Sequence, residues 1–348
     1  MTTIHPAAAL AAASGRATST QNLVTVGLGW WLMVGIFVDG WAHNNLGESL
    51  ETFFTPWHAL FYSGFAAVAG WTLWLTWQGM RAGRRGVAAF PDGYWPAALG
   101  VPVFALGGLG DLLWHTVFGI ELGIEALLSP THLLLFAGSV LILSAPLNAS
   151  WRMPTLRRAP AGVVWPAVMA ATAILCFTSF MQMYLWGYLR APQGTEYVQL
   201  RAELGGTLLT ALILAVPVLL LLRRFRLPFG AITVMYGLNT LLMTLMLMPG
   251  TWREPVLMLA CGLVLDALLL GLDPSPRRPA AFRAFAFLLP LLVWAPYLAL
   301  NVWLGLSNLS LELWLGVAVM AGLGGLALSV LVLPPALPPE TEDVGRGL

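Results

Sequence analysis

Long apolar stretches recur along this chain from Leu23 to Leu333, interrupted only by short polar breaks. Inside a bilayer every peptide N–H and C=O must be satisfied within the protein, which a helix does through its own backbone bonds. A helix needs roughly 17 to 25 mainly apolar residues to cross the hydrocarbon core. The polar breaks divide the chain into about ten stretches of that size, at 23–43, 56–79, 97–118, 130–150, 163–188, 205–222, 228–248, 256–272, 284–305 and 311–333. The expected fold class is therefore all-α, a polytopic integral membrane protein of about ten transmembrane helices. Residues 1–22 read as a disordered cytoplasmic N-terminus without signal-peptide features and 334–348 as a disordered cytoplasmic tail.

Composition closes off the alternatives. Only 9% of the residues are charged, against roughly a quarter in a soluble domain. All 17 cations are arginine and no basic tract occurs, so a nucleic-acid partner is not expected. Cys176 and Cys261 lie in apolar runs and read as small buried hydrophobes. No G-x-G-x-x-G, Walker loop or G-x-S-x-G is present, which argues against nucleotide-driven chemistry. Arginine also predicts orientation, because short cytoplasmic loops retain positive charge. By that rule 14 of the 17 arginines fall on one side, leaving Arg190, Arg201 and Arg253 on the other. Both termini are then cytoplasmic, in a multi-pass protein of the cell membrane.

The histidines are the most informative residues. Of five, all but His5 fall in two segments of one pattern. Asp39, His43 and Gly47 match Asp111, His115 and Gly119 as D-x3-H-x3-G. Glu51, Thr55, Pro56, His58 and Gly64 match Glu125, Ser129, Pro130, His132 and Gly138 as E-x3-[ST]-P-x-H-x5-G. Such agreement reads as an internal repeat, which makes residues 23–150 two copies of a helical hairpin and 151–333 six further spans. Asp and His four residues apart share one helix face. Thr55-Pro56 and Ser129-Pro130 are helix-start signals that place His58 and His132 in first turns. Two consecutive two-span units have the same orientation, so both sets of ligands are expected at the extracytoplasmic face, brought together about an axis along the membrane normal.

Imidazole with carboxylate is a donor set for a divalent transition metal, Zn, Fe, Cu or Mn. The expected ligands are His43, His58, His115, His132, Asp39 and Asp111. Glu51 and Glu125, at a fixed distance before a histidine, are the expected general bases, with Glu48 and Glu121 as further acids. A belt of interfacial side chains, with Trp30, Trp31, Trp41, Trp57 and Trp114, accounts for any one histidine. It does not require the same spacing twice. Bis-histidine haem is the third reading, disfavoured by the aspartate one turn from each histidine.

The D-x3-H motif followed by another histidine resembles the copper-site motif in the C subunit of particulate methane and ammonia monooxygenases, and places copper among the ions. Here 14 and 16 residues separate the two histidines of each copy, and the resemblance assigns the chain to no family. Paired histidines in a late span, as in seven-helix hydrolases of the ceramidase and adiponectin-receptor type, are absent.

The second half contributes Asp266, an acid inside an apolar run that reads equally as functional or as paired with a neighbour. Met181, Met183, Met243, Met246 and Met248 are soft donors or, more simply, packing residues. Gly205, Gly206, Gly322, Gly324 and Gly325 are expected at close helix contacts. The functional expectation is a metal-dependent membrane enzyme, a hydrolase or oxidoreductase acting on an apolar or lipidic substrate from the lipid bilayer. The alternatives are a transporter or permease for a metal ion or small solute, and a membrane assembly or scaffold subunit.

Overall fold

A computed structural model of the chain describes residues 15–46, 53–119, 127–154, 159–185 and 196–335. Among these residues there is no strand, and eleven α-helices follow one another: α1 Ser19–Asn45, α2 Pro56–Arg81, α3 Trp95–Phe118, α4 Pro130–Leu143, α5 Ala145–Arg152, α6 Ala161–Met181, α7 Glu196–Arg224, α8 Ala231–Leu247, α9 Arg253–Leu272, α10 Pro279–Trp303 and α11 Leu311–Val332. With α4 and α5 taken together as Pro130–Arg152, nine helices among the described residues are long and apolar enough to cross a membrane. The chain is a helical protein of the multi-pass kind.

The expected span at 228–248 is the exception, because α8 has only 17 residues. It begins after Pro228 and Gly230, whose φ of 91° is closed to most side chains, and it ends at Met248. Its first turn is fastened from outside. The carboxylate of Asp266 on α9 accepts from Ile232 N at 3.1 Å, Thr233 N at 3.0 Å and Thr233 Oγ1 at 2.6 Å. Those are N–H groups that a helix start leaves without intrahelical partners. Asp266 is thus a structural cap, which decides between the two readings of this residue.

Helices adjacent in sequence pack as antiparallel pairs, most extensively α1 with α2, α3 with α4, α8 with α9 and α10 with α11. The most enclosed helix, α6, touches α1, α4, α5, α7 and α8 and joins two apolar cores. One comprises α1 to α4 with parts of α6 and α8, and the other α6 to α11. The pairs come close where glycine removes the side chain. A Cβ at Gly35 would lie 2.6 Å from the Phe61 backbone, and one at Gly64 2.7 Å from that of Leu32. In the next pair a Cβ at Gly107 would meet Leu135 N at 2.9 Å, and one at Gly138 would meet Phe104 N at 2.6 Å. Gly322 and Gly325 do the same for α11 on α10, whereas Gly205 faces open space and contributes no close contact.

Met181, Met243 and Met246 are buried in the first core beside Met33 and Phe37. Cys176 and Cys261 are buried free thiols. At one end of the bundle arginines tie helix ends together. Arg224 donates to the carbonyls of Trp151 and Met153 at 3.1 and 2.6 Å, and Asp273 pairs with Arg226 and Arg278.

Candidate metal centre

Six polar side chains meet at the opposite end, where α1 and α3 finish and α2 and α4 begin. The sequence signals for the two starts act as expected. Thr55 Oγ1 caps α2 by accepting from His58 N at 3.1 Å, and Ser129 Oγ caps α4 by accepting from His132 N at 3.5 Å, with proline next in each case. Both histidines therefore sit in first turns, facing the last turns of α1 and α3 where Asp39 and Asp111 stand one turn before His43 and His115.

Two groups result, Asp39 with His43 and His58, and Asp111 with His115 and His132. Within each, one potential ligand atom per residue lies within 4.8 Å of the others, so each can hold a metal ion. His58 Nε2 is 3.4 Å from Asp39 Oδ1, and His43 Nε2 is 3.9 Å from Asp39 Oδ2. His115 Nε2 and His132 Nε2 are 3.4 and 3.3 Å from Asp111 Oδ1. Two donors bound at 2.0–2.1 Å to a tetrahedral zinc stand about 3.3–3.4 Å apart, which three of these four separations match.

The far side of each ring fixes what its Nε2 can be. His58 Nδ1 lies 2.5 Å from the Phe53 carbonyl oxygen and His115 Nδ1 lies 3.1 Å from that of Gly119. A carbonyl only accepts, so Nδ1 carries the proton in both rings, and in a neutral imidazole Nε2 then presents a lone pair. That lone pair points at a carboxylate oxygen. Two acceptors face each other at 3.4 Å, in surroundings where the side chains of His58, His115 and Asp111 are all less than 10% exposed. Such an arrangement needs a positive charge between or on the partners, either a metal ion or an added proton.

The groups are neighbours. The four imidazoles form an arc, with ring centroids 5.8 Å apart from His43 to His58, 6.4 Å from His58 to His115 and 5.9 Å from His115 to His132. The inner two are buried, and the outer two are 25 and 26% exposed. Phe53 leans on both inner rings. Asp111 is further held by Thr131 Oγ1 and by Tyr62 OH, each donating at 3.4 Å. Tyr62 belongs to α2, so this last bond crosses from one helix pair to the other. Its ring lies on Gly108 of α3, where a Cβ would come within 2.8 Å of it.

Glu48, Glu51, Glu121 and Glu125, including both expected general bases, lie outside the described residues. Sequence reading missed Tyr62 and the pair Gly35 and Gly107. Each of these glycines precedes its aspartate by four residues, so the legible signal was G-x3-D-x3-H. Comparison with protein-family models, with curated proteins and with solved structures returns no match. The site is defined by its own chemistry, as two Asp/His groups at one end of a helical membrane protein.

Proposed function

We propose that each Asp/His group binds one divalent transition metal ion, and that the chain is a metal-dependent membrane enzyme acting on an apolar or lipidic substrate. The observation that carries the reading is the pair of buried histidines whose Nδ1 atoms lie on backbone carbonyls while their Nε2 atoms face carboxylates. A metal ion turns both acceptors into ligands at once. Two imidazoles with one carboxylate suit Zn, Cu or Fe better than Mn, and three protein donors leave a coordination position for water or substrate. Zn(II) held by these residues would supply hydrolytic chemistry, in which Glu51 or Glu125 would serve as the proton acceptor. With Fe or Cu the same ligands serve an oxidoreductase.

Access is consistent with this. The exposed edges of His43 and His132 mark the mouth, and Phe54, Val117 and Phe118 present apolar surface at the same end, each more than 65% exposed. In the proposed orientation that end is extracytoplasmic and the arginine-tied end cytoplasmic. The matching glycine contacts, Gly35 with Gly107 and Gly64 with Gly138, support the reading that α1–α2 and α3–α4 are copies of one duplicated hairpin.

Elemental mass spectrometry of the detergent-purified protein tests the reading directly. About two equivalents of one metal per chain are expected, and none in a folded variant with His43, His58, His115 and His132 all changed to Ala. Absence of metal after reconstitution with each ion refutes it. The ion found decides whether hydrolysis or oxidation is assayed. For orientation, Phe54→Cys is expected to react with an impermeant thiol reagent on intact cells while Val87→Cys does not; the reverse pattern inverts the topology.

A further inference from the structure

The two Asp/His groups share a sequence pattern but not a supporting structure. Around Asp111 every proposed ligand is backed by a further bond. Thr131 Oγ1 donates to Oδ1 of the carboxylate and Tyr62 OH to Oδ2, each at 3.4 Å. His115 Nδ1 lies 3.1 Å from the Gly119 carbonyl oxygen, and His132 Nδ1 lies 2.6 Å from Ser129 Oγ. Ser129 Oγ in turn lies 3.2 Å from Thr131 Oγ1, which joins the supports of the carboxylate and of the outer ring. Around Asp39 one such bond is present, between His58 Nδ1 and the Phe53 carbonyl. Among the described residues no hydroxyl reaches Asp39, and His43 Nδ1 has no partner.

The spacing of the ligand atoms differs in the same sense. His115 Nε2 and His132 Nε2 converge on a single oxygen, Asp111 Oδ1, at 3.4 and 3.3 Å. In the other group the two imidazoles address different oxygens, His58 at 3.4 Å from Oδ1 and His43 at 3.9 Å from Oδ2. An ion entering the first group finds its ligands in place, whereas the second must close around it. The outer histidines are equally exposed, so the carboxylates decide which group is open. The Asp111 side chain is 2% exposed and that of Asp39 is 18% exposed.

Bonds on the far side of a metal ligand fix its orientation, and losing one typically lowers metal affinity tenfold to a hundredfold. Between related sites such differences appear mainly in the rate of release. We propose, on the metal reading above, that the two groups have different duties. The Asp111 group retains its ion. The Asp39 group is the exchangeable site, and the coordination position that its three protein donors leave vacant is the one reached by a small Lewis base from outside, an oxygen or nitrogen donor of the substrate included.

The test follows zinc leaving the loaded, detergent-purified protein after EDTA is added, with the metal still bound counted by elemental mass spectrometry. About two equivalents are expected to leave in two phases, with rates that differ about tenfold or more. His43→Ala is expected to lose the fast phase and His132→Ala the slow one, with the other ion retained in each. Where His132→Ala fails to fold, Tyr62→Phe replaces it and is expected to quicken the slow phase alone. With Co(II) in place of zinc, azide is expected to shift the cobalt absorption of His132→Ala and to leave that of His43→Ala unchanged. Zinc absent before EDTA is added refutes the metal reading itself. Two equivalents leaving in one phase, loss of the slow phase in His43→Ala, a quickened fast phase in Tyr62→Phe, or azide acting on His43→Ala alone overturns the division of duties and leaves the metal reading standing.

Discussion

Asp111, in the first four spans, and Asp266, in the second half, are both almost fully enclosed carboxylates among apolar helices, yet they meet opposite partners. Asp266 receives three donors, two backbone N–H groups and a hydroxyl, and needs nothing more. Asp111 receives two hydroxyls at 3.4 Å and is faced by two imidazole Nε2 atoms, of which that of His115 bears a lone pair when its ring is neutral. Burial of a charge therefore does not distinguish a cap from a binding site. The distinction lies in whether the surrounding groups complete the carboxylate or leave it looking at further acceptors.

Alanine at each position separates the roles most sharply. Asp111→Ala removes a proposed ligand from the His115/His132 group, and the metal content of the folded protein is expected to fall from about two ions per chain to one. Asp266→Ala strands two buried N–H groups at the start of α8, an expected loss of about 2–4 kcal/mol. It is read as a lower unfolding midpoint with metal per folded chain unchanged. Retention of both ions in Asp111→Ala, or their loss in folded Asp266→Ala, breaks the comparison.

The same contrast shows what sequence carries and what it does not. Hydropathy located every long helix among the described residues, because span length is a one-dimensional property. It overestimated α8, whose short run is sustained by a cap from another helix. Spacing brought Asp39 with His43 and Asp111 with His115, since one turn of one helix fixes each pair. It could not rank the histidines by exposure. His58 and His132 are equivalent in sequence, but the side chain of the first is 8% and that of the second 26% exposed. The difference arises because α2 lies against α3 at the centre of the arc while the His132 ring stands at its rim. The bond from Tyr62 to Asp111 is likewise a contact between helix pairs, invisible to any local pattern.

Whether the two pairs really pack alike is sharpened by glycine. Gly64→Ala and Gly138→Ala each force a methyl group against the backbone of the facing helix, at 2.7 and 2.6 Å. Each is expected to destabilise by about 1–3 kcal/mol. Gly70→Ala in the same helix as Gly64 meets nothing within 4 Å, and is expected to be neutral or slightly stabilising. A neutral Gly138→Ala beside a costly Gly64→Ala shows that the pairs differ where they look most alike.

Tyr62 is the main asymmetry between the groups, because the position four residues after the other first-turn histidine is Phe136. Its hydroxyl orients Asp111 and, among the described residues, has no counterpart on Asp39. Tyr62→Phe is expected to weaken metal binding at the Asp111 group about tenfold to a hundredfold, the usual cost of losing a group that holds a ligand in place. The Asp39 group is expected to keep its affinity. Stepwise metal titration followed by the two dissociation constants distinguishes this from a general loosening of the fold, which weakens both.

The smallest expected effect concerns the two helix starts, which look interchangeable and are not. Thr55→Ala and Ser129→Ala each remove an N-cap, at a cost of about 1 kcal/mol in stability. Thr55 Oγ1 accepts from the backbone N of its histidine, while the His58 ring is held by the Phe53 carbonyl. Ser129 Oγ additionally lies 2.6 Å from His132 Nδ1, so its loss removes a contact that orients the ring at the exposed rim of the arc. Ser129→Ala is therefore expected to lower metal affinity at the Asp111 group as well as stability, and Thr55→Ala to lower stability alone. Equal metal affinities in the two variants, with equal losses in midpoint, make Ser129 a cap and nothing else.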